Sequence, residues 1–327
     1  MNTHPYSQLT PELVMDAIES VGYVCDCRNI TLNSYENRVY QIGLEEDQPI
    51  IAKFYRPERW SREAILEEHA FLLELEESDV PVISPIIIGG ETLFTHEGFS
   101  FALFPRRGGH APELGRDSDL EIVGRWLGRI HLVGNQPKFK YRQSLLGSQD
   151  IRAAAETVLA SNLMPEDYCD VYQSLIRDIC AHTDAQTPLS EYSSIRLHGD
   201  MHMGNLLLRD QQLWITDFDD CLQGPAMQDI WMMLSGSTEE HAHQLNVLAS
   251  GYETFRPFPT NELPLIEMLR TRRIVRYAAW LCQRWDDPAF PLAFPWFEGH
   301  RFWSEHLLSL REQLAALQEP PLSMSFF

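Results

Sequence analysis

Leu197-His-Gly-Asp-Met-His-Met-Gly-Asn-Leu-Leu-Leu-Arg-Asp-Gln-Gln-Leu-Trp-Ile-Thr-Asp-Phe-Asp-Asp220 is the stretch whose reading decides the fold. Three polar residues stand out among apolar flanks: Asp200, Asn205 and Asp217. Asn205 to Leu208 and Leu213 to Thr216 are short β-favouring runs around the turn Arg209-Asp210-Gln211-Gln212, a hairpin pattern. Such a hairpin sets the loop holding Asp200 and Asn205 beside the end of the strand that delivers Asp217. Phosphoryl transfer from Mg-ATP needs this set of groups. One carboxylate orients the acceptor hydroxyl and receives its proton, while an amide oxygen and a second carboxylate hold the metal on the phosphates.

The spacing D-x-x-x-x-N matches that of a protein-kinase catalytic loop, and an Asp about a dozen residues on matches the metal ligand of such enzymes. A rival reading is a zinc site, because His198 and His202 have i, i+4 spacing. The acid falls one position late for H-E-x-x-H, and Gly199 and Gly204 disfavour the helix that motif requires. His198 is expected instead to prop the loop through hydrogen bonds.

The chain has 327 residues, 44% of them apolar, which is enough for a full core and two domains. A net charge of −21 argues against a general nucleic-acid surface, which needs clustered Lys and Arg. It does not argue against ATP, whose phosphates need only a metal and a few local donors. No apolar run reaches membrane-spanning length, and the N-terminus has no basic-then-apolar signal. The six cysteines have no ligand spacing, so free thiols in a reducing cytoplasm are expected. A monomer with no nucleic-acid or membrane partner is the resulting expectation.

Taken in order, Thr10-Pro11-Glu12 opens a helix with Leu13, Val14, Ala17 and Ile18 on one face. Strands are expected at Ile30–Leu32, Arg38–Ile42 and Pro49–Tyr55, the last carrying Lys53 among apolar neighbours. A buried lysine needs a counter-charge or a phosphate. The intervening loop resembles the nucleotide-covering loop of kinases but has no glycine. Ser34, Glu36 and Asn37 must therefore meet the phosphates with side chains or turn amides, or else cap the hairpin. Ser61 to Leu75 is helical, and Glu67 or Glu68 is the candidate partner of Lys53. Glu68 is preferred, since Leu72 and Leu75 share its face. Val80–Ile88, Thr92–Thr95 and Phe99–Phe104 are expected strands. Pro105-Arg-Arg-Gly-Gly109 then forms a hinge, with the backbone near Leu103 and Phe104 available to an adenine edge.

Beyond the hinge the chain turns helical, at Asp117–Val133, Ile151–Ser161, Glu166–His182 and Thr260–Arg284. His131 is expected in the core. Arg270, Arg272, Arg273 and Arg276 either pair internally or meet an acidic partner, and internal pairing is preferred in so acidic a chain. The aromatics between Trp280 and Trp303 are most simply core.

The motifs H-G-D-x-H-x-G-N and D-x-D-D resemble the aminoglycoside-phosphotransferase and choline-kinase branch of the protein-kinase-like fold. Within that branch the chain is similar to bacterial serine/threonine protein kinases of the stress response. Asn33-Ser-Tyr-Glu-Asn-Arg-Val-Tyr-Gln41, Lys53-Phe-Tyr-Arg-Pro-Glu-Arg-Trp60, Ile65-Leu-Glu-Glu-His69, Gln228-Asp-Ile-Trp-Met and Phe294-Pro-Trp296 carry the match along nearly the whole chain. The resemblance implies an α+β, bilobal fold. Residues 1–104 would be a small mixed-sheet N-lobe with one αC-type helix, and residues 105–327 a larger, mainly helical C-lobe. It implies that Asp200 is the catalytic acceptor, that Asn205 and Asp217 bind Mg²⁺, and that Ser34 lies at the ATP phosphates. A protein acceptor with Ser or Thr hydroxyls rests on the resemblance alone. A small-molecule hydroxyl kinase would use the same active-site residues. An inactive nucleotide-binding module would have no need of the base and both metal ligands. Arg commonly precedes the catalytic Asp and pairs with a phosphorylated loop. Here that position is Gly199, so a constitutively assembled site is expected unless Arg196 or one of Arg270–Arg276 takes over the contact.

Overall fold

The computed structural model describes residues 4–113, 115–186 and 188–324. They divide into two compact units. The first comprises Met1–Gln143, Arg196–Leu222 and Val247–Phe258, and the second Ser144–Ile195, Gln223–Asn246 and Pro259–Phe327.

The first unit opens with α1 (Pro11–Glu19), where Thr10 Oγ1 accepts from the Leu13 N–H at 3.3 Å and Pro11 needs no partner. Its Val14, Ala17 and Ile18 pack into one apolar cluster with Tyr40, Ile42, Phe54 and Phe101 of the sheet. That sheet contains β1 (Cys25–Thr31), β2 (Arg38–Leu44), β3 (Ile50–Phe54), β4 (Phe94–His96) and β5 (Phe99–Pro105), in the order β1-β2-β3-β5-β4. Every pairing is antiparallel, so the mixed sheet expected from the resemblance is corrected. Short turns join β1 to β2, β2 to β3 and β4 to β5. The one long connection, through α2 (Arg62–Glu77), re-enters at the edge, and β5 therefore returns antiparallel to β3.

The expected strand at Val80–Ile88 is also corrected: only isolated bridges form there, Val82 with Ile215 and Ile88 with Glu91. Pro81 and Pro85 remove two ladder donors from the run. α3 (Asp117–Val133) buries Leu120, Val123, Leu127 and Ile130 as its spacing requires. Its Gly124 and Gly128 admit a closely packed neighbour, since a Cβ on either would lie 2.2 Å from Leu248 O or 2.5 Å from Tyr252 O. His131 is fully buried, its Nδ1 2.9 Å from the Tyr252 hydroxyl.

The second unit is built from α4 (Ser148–Ala160), α5 (Glu166–Ala185), and the short α6 (Met227–Ile230). β7 (Leu206–Arg209) and β8 (Gln212–Ile215) belong to the first unit, and the division passes within β6 (Ile195–Leu197), β9 (Leu222–Gly224) and α7 (Thr238–Tyr252). The second unit continues with α8 (Ile266–Arg284), α9 (Ala289–Ala293) and α10 (His300–Ala316). The helix expected from Thr260 to Arg284 is broken. Residues Thr260–Leu265 form a 3-10 segment containing Pro264, and the α-helix starts only at Ile266. Arg270 pairs with Glu267 at 3.0 Å and Arg272 with Asp150 at 2.7 Å, so these two arginines are bound internally. Phe290, Phe297 and Trp303 are core, whereas Trp296 is exposed. All six cysteines are free. Among the described residues no helix is long and apolar enough to cross a membrane.

His306 of α10 is buried and stacked against Tyr172 at 5.9 Å and Phe302 at 5.7 Å. Burial lowers its pKa to about 4, while an unfolded imidazole titrates near about 6.5. Between those values the unfolded chain takes up a proton that the native protein refuses. The stabilisation is therefore complete above about pH 6.5 and is lost as pH falls, on the order of 1 kcal/mol per pH unit. His306→Phe should reduce the drop in urea midpoint between neutral pH and about pH 5. An undiminished drop in the variant would place the acid sensitivity elsewhere.

Candidate active site

β7 and β8 pair from Leu206↔Ile215 to Arg209↔Gln212, closed by Asp210 and Gln211 at φ 50° and 63°. Two successive left-handed residues make the turn whose twist suits a two-residue hairpin. The ribbon is held on both sides. His110 and Leu208 exchange backbone bonds of 3.1 and 2.7 Å, and Ile215 bonds Pro81 O at 2.8 Å. The Thr216 N–H donates to Asn205 O at 2.9 Å, which fixes the end of β8 to the loop before β7.

Within that loop the Asn205 side-chain amide donates to Asp200 O at 2.9 Å. Its amide oxygen remains as the acceptor of the pair. Asp217 sits just past β8 in the left-handed region, φ 58° and ψ 64°, with its side chain 56% exposed. An amide oxygen and an accessible carboxylate are hard donors of the kind a small divalent cation takes. His198 is fully buried, its Nε2 2.8 Å from Thr216 O and its ring 4.4 Å from that of Phe218. It is a strut for the loop. Residues 198–202 are not helical, and no group of three or more His, Cys, Asp or Glu suited to a metal occurs among the described residues. The zinc arrangement therefore has no geometric basis. The His202 Nε2 lies 3.4 Å from Asp200 Oδ2, and its Nδ1 accepts from the Gly204 N–H at 2.9 Å.

Lys53 is buried on β3 and faces three carboxylates: Asp219 at 3.1 Å, Asp217 at 3.4 Å and Glu68 at 3.5 Å. Burial pulls the ammonium pKa down, but Asp219, Glu68, Tyr55 and Asp217 outweigh it and hold it well above the usual lysine value. Two of the carboxylates have cations of their own. Arg142 Nη2 donates to Glu68 Oε2 at 2.7 Å, and its Nη1 donates to Asp219 O at 2.6 Å. Arg59 pairs with Asp219 and with Asp220, the latter at 2.8 Å. Burial raises the Asp219 carboxyl, but Arg59, Lys53 and Arg142 together hold it well below the usual range. Glu67 is engaged elsewhere, accepting from the N–H groups of Lys140, Tyr141 and Arg142 at 2.6, 2.7 and 2.9 Å. Glu68 is thus the partner of Lys53.

The other expected site residues are placed as follows. Asn37 is buried and its Oδ1 accepts from the Arg56 N–H at 3.0 Å. Glu36 pairs with Arg56 at 3.1 Å and Arg59 at 3.6 Å, so both residues hold the loop itself. Ser34 is half-buried on the same loop. Leu103 and Phe104 lie inside β5, opposite Ala52 and Ile51, and Leu103 O accepts from the Ile86 N–H at 2.7 Å. Asp219, Arg59 and Arg142 had no role assigned from the sequence. The repeated acid in D-x-D-D and the two arginines of Arg56-Pro-Glu-Arg59 were the available signals. Arg196 binds Glu74 at 2.7 Å and the carbonyls of Val133 and Gln136, so its guanidinium is committed within its own unit.

A family model described as the phosphotransferase enzyme family matches residues 29–264. The chain belongs to this family. Stress response kinase A of Escherichia coli (strain K12) is 40% identical over 320 residues, covering 98% of this chain and 97% of the relative. The serine/threonine protein kinase RdoA of Salmonella typhimurium (strain LT2) is 40% identical over 324 residues, covering 99% and 98%. Amicoumacin kinase hAmiN, solved with AMP-PNP, Ca²⁺ and Ami, superposes with a TM-score of 0.72 over 94% of both chains at 18% identity. Choline kinase LicA from Streptococcus pneumoniae gives 0.64 over 93% and 98% at 12% identity. At these identities the solved structures show the fold alone, and that fold is kinase-like.

Gly199, at φ +86°, stands directly before Asp200, the candidate acceptor of the hydroxyl proton. A Cβ here would lie 2.1 Å from Asp220 O, so no side chain fits. Gly199→Ala should lower stability by about 1–3 kcal/mol and displace the Asp200 loop. Thermal unfolding and turnover check this, and a variant with wild-type values in both would refute the steric account.

Proposed function

We propose that the protein is an ATP- and Mg²⁺-dependent kinase that phosphorylates serine and threonine hydroxyls of a protein substrate in the cytoplasm. The observation carrying the ATP reading is the buried Lys53, set among Glu68, Asp217 and Asp219 beside the hairpin of Asp200 and Asn205. An ammonium so placed is suited to the α- and β-phosphates of a nucleotide. The donor set favours Asn205 and Asp217 as the residues that would hold Mg²⁺, which when bound neutralises charge on the phosphates. Asp200 orients the acceptor hydroxyl and takes its proton as that oxygen bonds the γ-phosphorus. The bridging oxygen leaves with the electron pair, giving ADP. Ser34 is proposed to meet the phosphates, and the backbone at the end of β5, near Leu103 and Phe104, the adenine. In this reading residues 1–104 act as the nucleotide lobe and residues 105–327 as the acceptor lobe.

A protein acceptor is supported by the near-full-length relatives named as stress-response and serine/threonine kinases. The second reading, a small-molecule hydroxyl kinase, would use the same active-site residues, and solved structures of like fold are named as amicoumacin and choline kinases. Labelled Mg-ATP offered with casein, choline or an aminoglycoside separates the two. Label on serine or threonine of casein is expected, and label only on a small molecule would establish the second reading. In the same assay Asp200→Ala should cut turnover by ~10²–10⁴-fold with little change in nucleotide affinity. A variant that keeps most of its turnover would remove Asp200 from the chemistry.

A further inference from the structure

Between β3 and α2 the chain turns through Tyr55-Arg-Pro-Glu-Arg-Trp60, and its two arginines reach different parts of the site. Arg56 holds the loop at residues 33–37. Its N–H bonds Asn37 Oδ1 at 3.0 Å, its Nε bonds Glu36 O at 3.0 Å, and its Nη2 reaches Tyr35 O at 3.5 Å. Arg59 holds the segment after the metal-ligand candidate Asp217. It pairs with Asp219 and with Asp220 at 2.8 Å, and reaches back to Glu36 at 3.6 Å. Both guanidinium groups are largely withdrawn from solvent, with side chains 4% and 13% exposed. Pro57 and the left-handed Glu58, φ 64°, set the turn that separates them. Trp60 backs the site, with Arg142 4.4 Å and Arg59 5.4 Å from its ring centroid.

A glycine-rich covering loop is compliant and wraps phosphates with its amides. This loop has no glycine to flex, and its carbonyls and carboxylate are occupied by Arg56 and Arg59. We propose that Arg56 and Arg59 are positioning residues forming one clasp, which fixes loop 33–37 onto the segment 217–220. Nucleotide enters and leaves by opening that clasp. The inference rests on the ATP reading above and adds how the nucleotide is retained. Arg59 itself reaches both segments and Arg56 braces the Glu36 carboxylate that it uses, so the tie loosens when Arg56 is lost and fails when Arg59 is. Arg59 also shares Asp219 with Lys53, so the clasp and the phosphate-facing ammonium draw on one carboxylate.

Stopped-flow release of a fluorescent ADP analogue in Mg²⁺ tests this on wild type, Arg56→Gln, Arg59→Gln and the double variant, with thermal unfolding recorded for each. Each single variant should speed release by on the order of tenfold. The double variant should be no faster than the faster single one. If Arg56→Gln does not fold, Glu36→Gln, which keeps the backbone carbonyl contacts, takes its place in the same comparison. Accelerations that multiply in the double variant would mean independent local effects and overturn the clasp. Unchanged release in the variants would overturn it as well. A wild-type protein that binds no nucleotide would overturn the ATP reading and the clasp together.

Discussion

A buried ammonium without compensation is not tolerated in a protein interior, and the site is organised around how Lys53 avoids that condition. Three carboxylates lie within 3.5 Å of its Nζ. Glu68 and Asp219 are secured by Arg142 and Arg59 in turn, so neither depends on Lys53 alone for its charge. The consequence is a buried cation in a frame that other cations hold. In the proposed ATP reading Lys53 turns toward phosphate oxygens while Glu68 and Asp219 keep Arg142 and Arg59, the preorganisation that phosphoryl transfer rewards.

The same frame explains how a kinase-like fold can dispense with two common devices. The glycine-free loop 33–37 gains its shape from Arg56 and Asn37. The loop of Asp200 is set by the His198 bond to Thr216 O and by the tight approach of Gly199 to Asp220. With Arg196 committed to Glu74, Arg270 to Glu267 and Arg272 to Asp150, these three are held by internal acids.

Much of this was legible in the sequence because it depends on short spacings between chemically distinctive residues. The hairpin, the D-x4-N loop and the lone lysine on an apolar strand could be read directly, and the helix phase at Leu72 and Leu75 favoured Glu68. What was not legible depends on long-range geometry. Arg142 meets Glu68 across 74 residues, and no periodicity points to it. Asp219 lies buried in the 3-10 turn Phe218–Asp220 that follows the left-handed Asp217. The strand expected at residues 80–88 failed on its two prolines, and the helix at Thr260 on Pro264, where local donors outweighed the apolar pattern. α7 and α10 had no expectation attached.

The measurement closest to the central claim is kcat/KM for ATP in Lys53→Met, with circular dichroism confirming the fold. Glu68 and Asp219 retain Arg142 and Arg59 in that variant, so the protein is expected to remain folded. Its kcat/KM should fall on the order of 10²-fold or more, as loss of a preorganised charge does. A folded variant with wild-type kcat/KM would contradict the account, because Lys53 would then be a buried structural cation and not the group that meets the nucleotide.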